Sequence, residues 1–325
     1  MTVECPGFQA YRRTAFALAP LALLVAGVLA ATMRLRVDFS GFVMVGQVAA
    51  VPMLLGFFLR SPGRITAIGD VLSMLSVMLF MIFCCGAIAI MSTRSVAPLA
   101  DGWLSRADGM IGLSATGFIA AISLAPPAVQ FLLRCAYEYT GLWLILTLMV
   151  MPFIGQRRQA WRLLMLWNFT LICTSLISFA APAYGSFAAM DPAVMDRLPG
   201  GAGVFAFDAF ASFRFGVDPV VSINALGGVV CFPSFHTICA LLLVQAWKDF
   251  QVIRGIAAVL CGATIVSTLP MGGHYFIDLF AGAGVWWLCT IIADKRVAGW
   301  SATLDTAMSA LRGRIRETPR KTLEV

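Results

Sequence analysis

The chain has 325 residues, of which 60% are hydrophobic and only 12% charged, and its mean hydropathy is +0.88. Soluble globular chains carry about 25% charged residues, so this composition excludes a soluble domain. The net charge of +7 does not indicate a nucleic-acid partner, because the basic residues lie in short loops between apolar runs and in the tail. Nine cysteines form no CxxC pair and only two histidines are present, which argues against zinc.

Several apolar runs approach the roughly 20 residues that a bilayer-spanning helix needs. Arg12 and Arg13 precede the first, at 14–33, which is longer than a signal-peptide core of about 7–15 residues and is read as a retained helix. The second run is 41–59, with Pro52 as an expected kink, and the third is 70–92. Residues 93–127 mix Pro98, Asp101, Trp103, Arg106 and Asp108 with moderate hydrophobicity and predict a surface-lying helix and a loop ending at Pro126-Pro127. Spans at 128–152 and 161–182 follow, then a long loop at 183–228, then spans at 233–247, 254–270 and 275–293. In the tail, Trp300, Leu304, Met308, Leu311 and Ile315 share a helical face, with Arg312, Arg314 and Arg316 elsewhere, a pattern suited to an anionic membrane surface.

The expected fold is therefore an all-α polytopic membrane bundle of about eight transmembrane helices plus interfacial helices. It forms one membrane domain over 1–296, followed by a basic amphipathic cytoplasmic tail at 297–325. Eight spans place both termini on one side. That side carries sixteen lysines and arginines against six on the other, with Arg134 inside a span. The positive-inside rule makes the richer side cytoplasmic, and the setting expected is a bacterial inner membrane.

Both histidines fall in the stretch 231–278: Cys-Phe-Pro-Ser-Phe-His-Thr at 231–237 and Gly-Gly-His-Tyr-Phe-Ile-Asp at 272–278. His274 and Asp278 are four apart and share one helical face. A carboxylate so placed can accept from one imidazole nitrogen and leave the other free as nucleophile or base. A histidine at a span end is often just a satisfied interfacial residue, but two such residues with helix-breaking lead-ins and a carboxylate partner point to function. The alternation of spans brings His236 and His274 to the same, extracytoplasmic, face. Two helix N-termini side by side there are expected to offer unpaired N–H groups to an anion.

Pro-Ser-Phe-His-Thr and Gly-Gly-His-Tyr-Phe-Ile-Asp resemble the second and third signature motifs of the type 2 phosphatidic acid phosphatase superfamily. The pattern is most similar to its inositol phosphorylceramide synthase-like and sphingomyelin synthase-like branch. The resemblance implies His274 as nucleophile, Asp278 as its orienting partner, His236 as general acid and base, and Ser234 as a phosphate ligand, with no cofactor and no metal. It implies lipid partners: a phospholipid donor and a ceramide or diacylglycerol-like acceptor.

The superfamily's first motif, Lys-x₆-Arg-Pro, is missing, since Lys248, Lys295 and Lys321 come too late and no Arg-Pro occurs. Arg214, 22 residues before His236, is the first substitute phosphate clamp, because arginine suits bidentate phosphate recognition; a solvated loop arginine is the plain alternative. Arg134 is the second, with Glu138 at i+4 able to neutralise it as an intramembrane ion pair. Tyr137 and Tyr139 are headgroup contacts or, more simply, belt aromatics. A hydrolase with water as acceptor uses the same residues; a haem protein with two axial histidines and a transporter fit the motifs less well.

Overall fold

The structure is a computed structural model that describes residues 6–59, 64–200, 202, 204–226 and 229–317. It is all-α apart from one short parallel strand pair, β1 (Arg36–Val37) with β2 (Val220–Val221). Among the described residues, six helices are long and apolar enough to cross a membrane, and the chain is an integral membrane helical bundle. These lie in α1 (Pro6–Thr32), α2 (Phe39–Phe58), α3 (Arg64–Thr93), α8 (Arg157–Ile177), α12 (Gln251–Gly272) and α13 (Phe276–Glu317).

The remaining two expected spans take a different form. The run 128–152 is broken into α6 (Pro127–Glu138) and α7 (Thr140–Val150). At the break, the Thr140 and Thr264 hydroxyls donate to the Ala136 carbonyl, at 2.7 and 3.1 Å, so the freed carbonyl is satisfied without water. The run 233–247 contains α11 (Phe235–Ala246), only 12 residues and thus about 18 Å long. It packs among α7 and the longer α8, α12 and α13, and this enclosure removes the need to span the bilayer alone.

The segment 93–127 holds two helices rather than one helix and a loop: α4 (Asp101–Met110) and α5 (Ala115–Ser123). The long connection 183–228 is also structured, with α9 (Pro192–Met195), α10 (Val204–Phe215) and β2. The eighth span and the tail form one backbone helix to Glu317. The side chains after residue 296, on which the amphipathic reading of the tail rests, lie outside the described residues.

Packing follows membrane rules. α3 and α8 are the most buried of the long helices, while α1 and α2 turn Leu23, Leu24, Val43, Val51 and Phe57 outward. Hydrocarbon offers no drive for apolar burial, so close van der Waals fit and polar bonds hold the helices. α2 and α3 meet at Gly56 and Gly69, where a Cβ on Gly56 would lie 2.7 Å from the Gly69 carbonyl oxygen. Between α3 and α8, Ser178 donates to the Ser92 hydroxyl at 2.7 Å.

One end of the bundle is closed by charge. Arg157 bonds to Asp70, which is 3% exposed, and Arg162 grips Asp294 with two bonds of 3.0 and 2.7 Å. Tyr11 donates to the same Asp294 at 3.1 Å. This puts the start of α1, the start of α8 and residue 294 of α13 together. α12 then carries the chain about 33 Å from this end to the histidines at the other.

Arg157→Ala should lower stability by about 3–5 kcal/mol, because it leaves a buried carboxylate without its partner. Arg157→Leu combined with Asp70→Leu should recover most of the loss. Thermal unfolding in detergent micelles checks both outcomes.

Candidate active site

The site is assembled by two chain reversals. α12 ends at Gly273, whose φ of 66° is left-handed, and its N–H returns to the Leu269 carbonyl at 3.0 Å. Glycine suits this helix stop because it has no Cβ to strain, and a Cβ here would also press on the Phe187 ring. The next residue is His274. From the other side, Ser234 caps α11, its hydroxyl accepting from the Thr237 N–H at 3.4 Å and the Thr237 hydroxyl at 3.1 Å. The Ser234 N–H donates to the Asp278 carbonyl at 3.1 Å. That bond ties the starts of α11 and α13 and brings together residues 44 positions apart in the chain.

His274 is 3% exposed and Asp278 fully buried. His274 Nδ1 lies 3.2 Å from Asp278 Oδ2. With Nδ1–H donating to the carboxylate, Nε2 keeps its lone pair, and Nε2 is 3.5 Å from the Ser234 hydroxyl. The same Oδ2 accepts from the Tyr275 N–H at 2.8 Å and the Cys231 thiol at 3.1 Å. Asp278 Oδ1 has no hydrogen-bond partner among the described residues. The carboxylate is therefore anchored through one oxygen.

His236 stands in the first turn of α11 and stacks on Tyr137, with ring centroids 4.0 Å apart and planes at 23°. His236, His274, Tyr137 and Gly272 line one cavity of about 240 Å³, with Ile82, Trp167, Leu171 and Phe235 supplying apolar walls and Thr174 and Ser175 hydroxyls. Two imidazoles thus face one space lined by neutral groups.

The structure does not bring the two arginine candidates to this cavity. Arg214 donates to the Thr93, Ser95 and Ala97 carbonyls at 2.6, 3.4 and 3.0 Å. It caps the end of α3, where unpaired carbonyls attract a cation. Arg134 pairs with Glu138 at 2.7 Å, both about half exposed. The helix-terminus expectation also changes for α13: the Phe276 and Ile277 N–H groups donate to Asp108 of α4 at 2.9 and 2.8 Å, so an internal carboxylate already occupies the place expected for an anion.

Sequence reasoning passed over Cys231, Asp101 and Asp108. The acidic pair was visible only as polar residues interrupting 93–127, although their spacing of seven puts them on one helical face. Cys231 Sγ, His274 Nδ1 and Asp278 Oδ2 lie within 4.8 Å of one another, close enough to share a metal ion. A thiolate would be needed for that. Burial first, and then the Asp278 carboxylate, pushes the Cys231 thiol well above its ordinary pKa, which favours the proton-donating role seen here.

A buried histidine–carboxylate pair and a second, partly buried histidine stand together at one end of the membrane bundle, an arrangement that can support nucleophilic and acid–base chemistry. Residues 102–292, more than half of the chain, match the sequence model of the PAP2 superfamily, and the chain belongs to that superfamily. It is a lipid enzyme of the phosphatase and phosphotransferase type. Comparison with curated proteins and with solved structures finds no match.

Tyr137→Phe should keep activity within a few-fold of wild type, because the ring stack on His236 survives. Tyr137→Ala should lower kcat by about 2–12-fold, as the loss of an aromatic pair worth roughly 0.5–1.5 kcal/mol frees the imidazole to leave its position. Steady-state kinetics of the two variants side by side make the comparison.

Proposed function

We propose that the protein is a lipid phosphotransferase that moves a phosphate-linked headgroup from a phospholipid to a neutral lipid acceptor, ceramide or diacylglycerol-like. In this it is similar to inositol phosphorylceramide synthases and sphingomyelin synthases. His274 Nε2 attacks phosphorus, and the bond from phosphorus to the donor's glycerol oxygen breaks. His236 protonates that oxygen, and Asp278 stabilises the cationic phosphohistidine ring. The acceptor hydroxyl then gives its proton back to His236 and attacks phosphorus, and the phosphorus–nitrogen bond breaks. Ser234, 3.5 Å from Nε2, is placed to donate to a phosphoryl oxygen.

The observation that carries transfer over hydrolysis is the charge of the cavity. No lysine or arginine is among its described lining residues. Arg94 and Arg214 are occupied by carbonyls, Arg36 pairs with Asp218 at 3.0 Å, and Arg134 pairs with Glu138. A phosphomonoester brings close to two negative charges at neutral pH, and burying them without a cation is costly. A phosphodiester brings one, which the hydroxyls lining the cavity can meet at lower cost. The apolar walls formed by Trp167, Leu171 and Phe235 suit the chain of a lipid rather than water.

The reading places the site on the extracytoplasmic side, following the basic-residue asymmetry. Clustering of Arg157, Arg162 and their partners at the end away from the histidines supports that orientation.

Purified protein given a phosphodiester lipid and a neutral lipid acceptor should form a new headgroup-bearing lipid. It should release phosphate from phosphatidic acid far more slowly. His236→Ala should slow transfer by roughly 10²–10⁴-fold, and His274→Ala should abolish it. Rapid phosphate release from phosphatidic acid, with no acceptor-dependent product, would assign the same residues to a lipid phosphate phosphatase instead.

A further inference from the structure

We propose that α4 is the positioning element for the nucleophile, with Asp108 and Asp101 fixing the short link between His274 and α13. The inference rests on His274 being the attacking residue. It adds two residues that touch neither the phosphate nor the reacting nitrogen but set where that nitrogen stands.

Asp108 is 2% exposed, yet among the described residues its carboxylate bonds to main-chain N–H groups and to no cation. Its two carboxylate oxygens are used on consecutive main-chain N–H groups, Ile277 at 2.8 Å through Oδ1 and Phe276 at 2.9 Å through Oδ2. These are the first two N–H groups of α13, which have no partner inside the helix. A charged acceptor at a helix start is favoured by the helix dipole, and its hydrogen bonds are stronger than neutral ones. The bidentate grip fixes the direction in which α13 leaves the histidine.

Asp101 lies two turns earlier on the same face of α4 and holds what comes just before. Its carboxylate accepts the Tyr275 hydroxyl at 3.2 Å and the Tyr184 and Gly185 N–H groups at 3.1 and 2.8 Å. The Tyr275 N–H in turn donates to Asp278 Oδ2, the oxygen that accepts from His274. A continuous chain of bonds therefore runs from Asp101 through Tyr275 to the histidine–carboxylate pair. On the other flank, the Ser186 N–H donates to the Gly273 carbonyl at 2.7 Å. With both flanks held, His274 has little freedom to drift from the line of attack. In a chain with 16 acidic residues, two spent on the main chain and phenol around one histidine suit a positioning role, because attack requires placement within a fraction of an ångström.

The test uses the full-length protein in mixed micelles with a phosphodiester lipid donor and a neutral lipid acceptor. Asp108→Ala should lower kcat by about 100-fold with KM changed less than about threefold, since misplacement by about 1 Å can cost that much. Asp108→Asn keeps one acceptor oxygen and should fall between wild type and Asp108→Ala. Tyr275→Phe removes only the hydroxyl on Asp101 and should lower kcat by about 3–10-fold without altering the melting temperature. Wild-type kcat in Asp108→Ala and Tyr275→Phe, while His274→Ala is inactive, would overturn the role of α4 and leave the nucleophile in place. Loss of activity in proportion to loss of folded protein, with no partial rescue by Asn, would also overturn it, making α4 merely structural. Activity surviving in His274→Ala would instead remove the reading on which the inference stands.

Discussion

The hydrogen bond from the Ser234 N–H to the Asp278 carbonyl is the contact on which the site depends. It joins the starts of two helices that are separated in sequence by the whole of α12. Ser234 caps one helix and faces His274 Nε2; Asp278 opens the other and anchors His274 Nδ1. Separate those two helix starts, and His236 and His274 no longer share a cavity and the His274–Asp278 pair loses its tie to α11. The bundle beyond serves this junction: α11 is short because it is enclosed, and α12 is long because it must return the chain from the charged end to the histidines.

The site differs from a water-exposed phosphate site in how it handles charge. Its lining is two imidazoles, a phenol and hydroxyls among apolar walls, while Arg94 and Arg214 bind main-chain carbonyls and Arg36 and Arg134 pair with Asp218 and Glu138. On the proposed mechanism, the cation formed transiently on His274 is the positive charge that meets the phosphoryl oxygens. On the proposed reading, that arrangement suits a singly charged phosphodiester and a second lipid better than a doubly charged monoester and water, in a chain without the Lys-x₆-Arg-Pro pattern.

Much of this was legible in the sequence. Six long spans followed from apolar runs of the right length, and the His274–Asp278 contact matched a spacing of four, although His274 stands in the link before α13 and not on a shared helical face. What was hidden was set by tertiary contacts that a linear pattern does not carry. The break at Tyr139 depends on Thr264 reaching the Ala136 carbonyl from a distant helix. Asp101 and Asp108 resembled interfacial polarity because their partners, Tyr275 and the α13 backbone, lie about 170 residues away. Arg214 was a candidate because its position in the chain put it on the side expected for the histidines, but the carbonyl end of α3 holds it. Sidedness narrows the candidates for a ligand-binding arginine, and only the local hydrogen bonds decide among them.

The central claim is a covalent bond between phosphorus and His274, and rapid quenching of the active enzyme with a donor labelled in its phosphate tests it most directly. The account predicts acid-labile, base-stable label on the protein. The label should map to the peptide containing His274, disappear when a lipid acceptor is added, and be absent from His274→Ala. An enzyme that turns over while carrying no such label under these conditions, or that carries it on another residue, would contradict it.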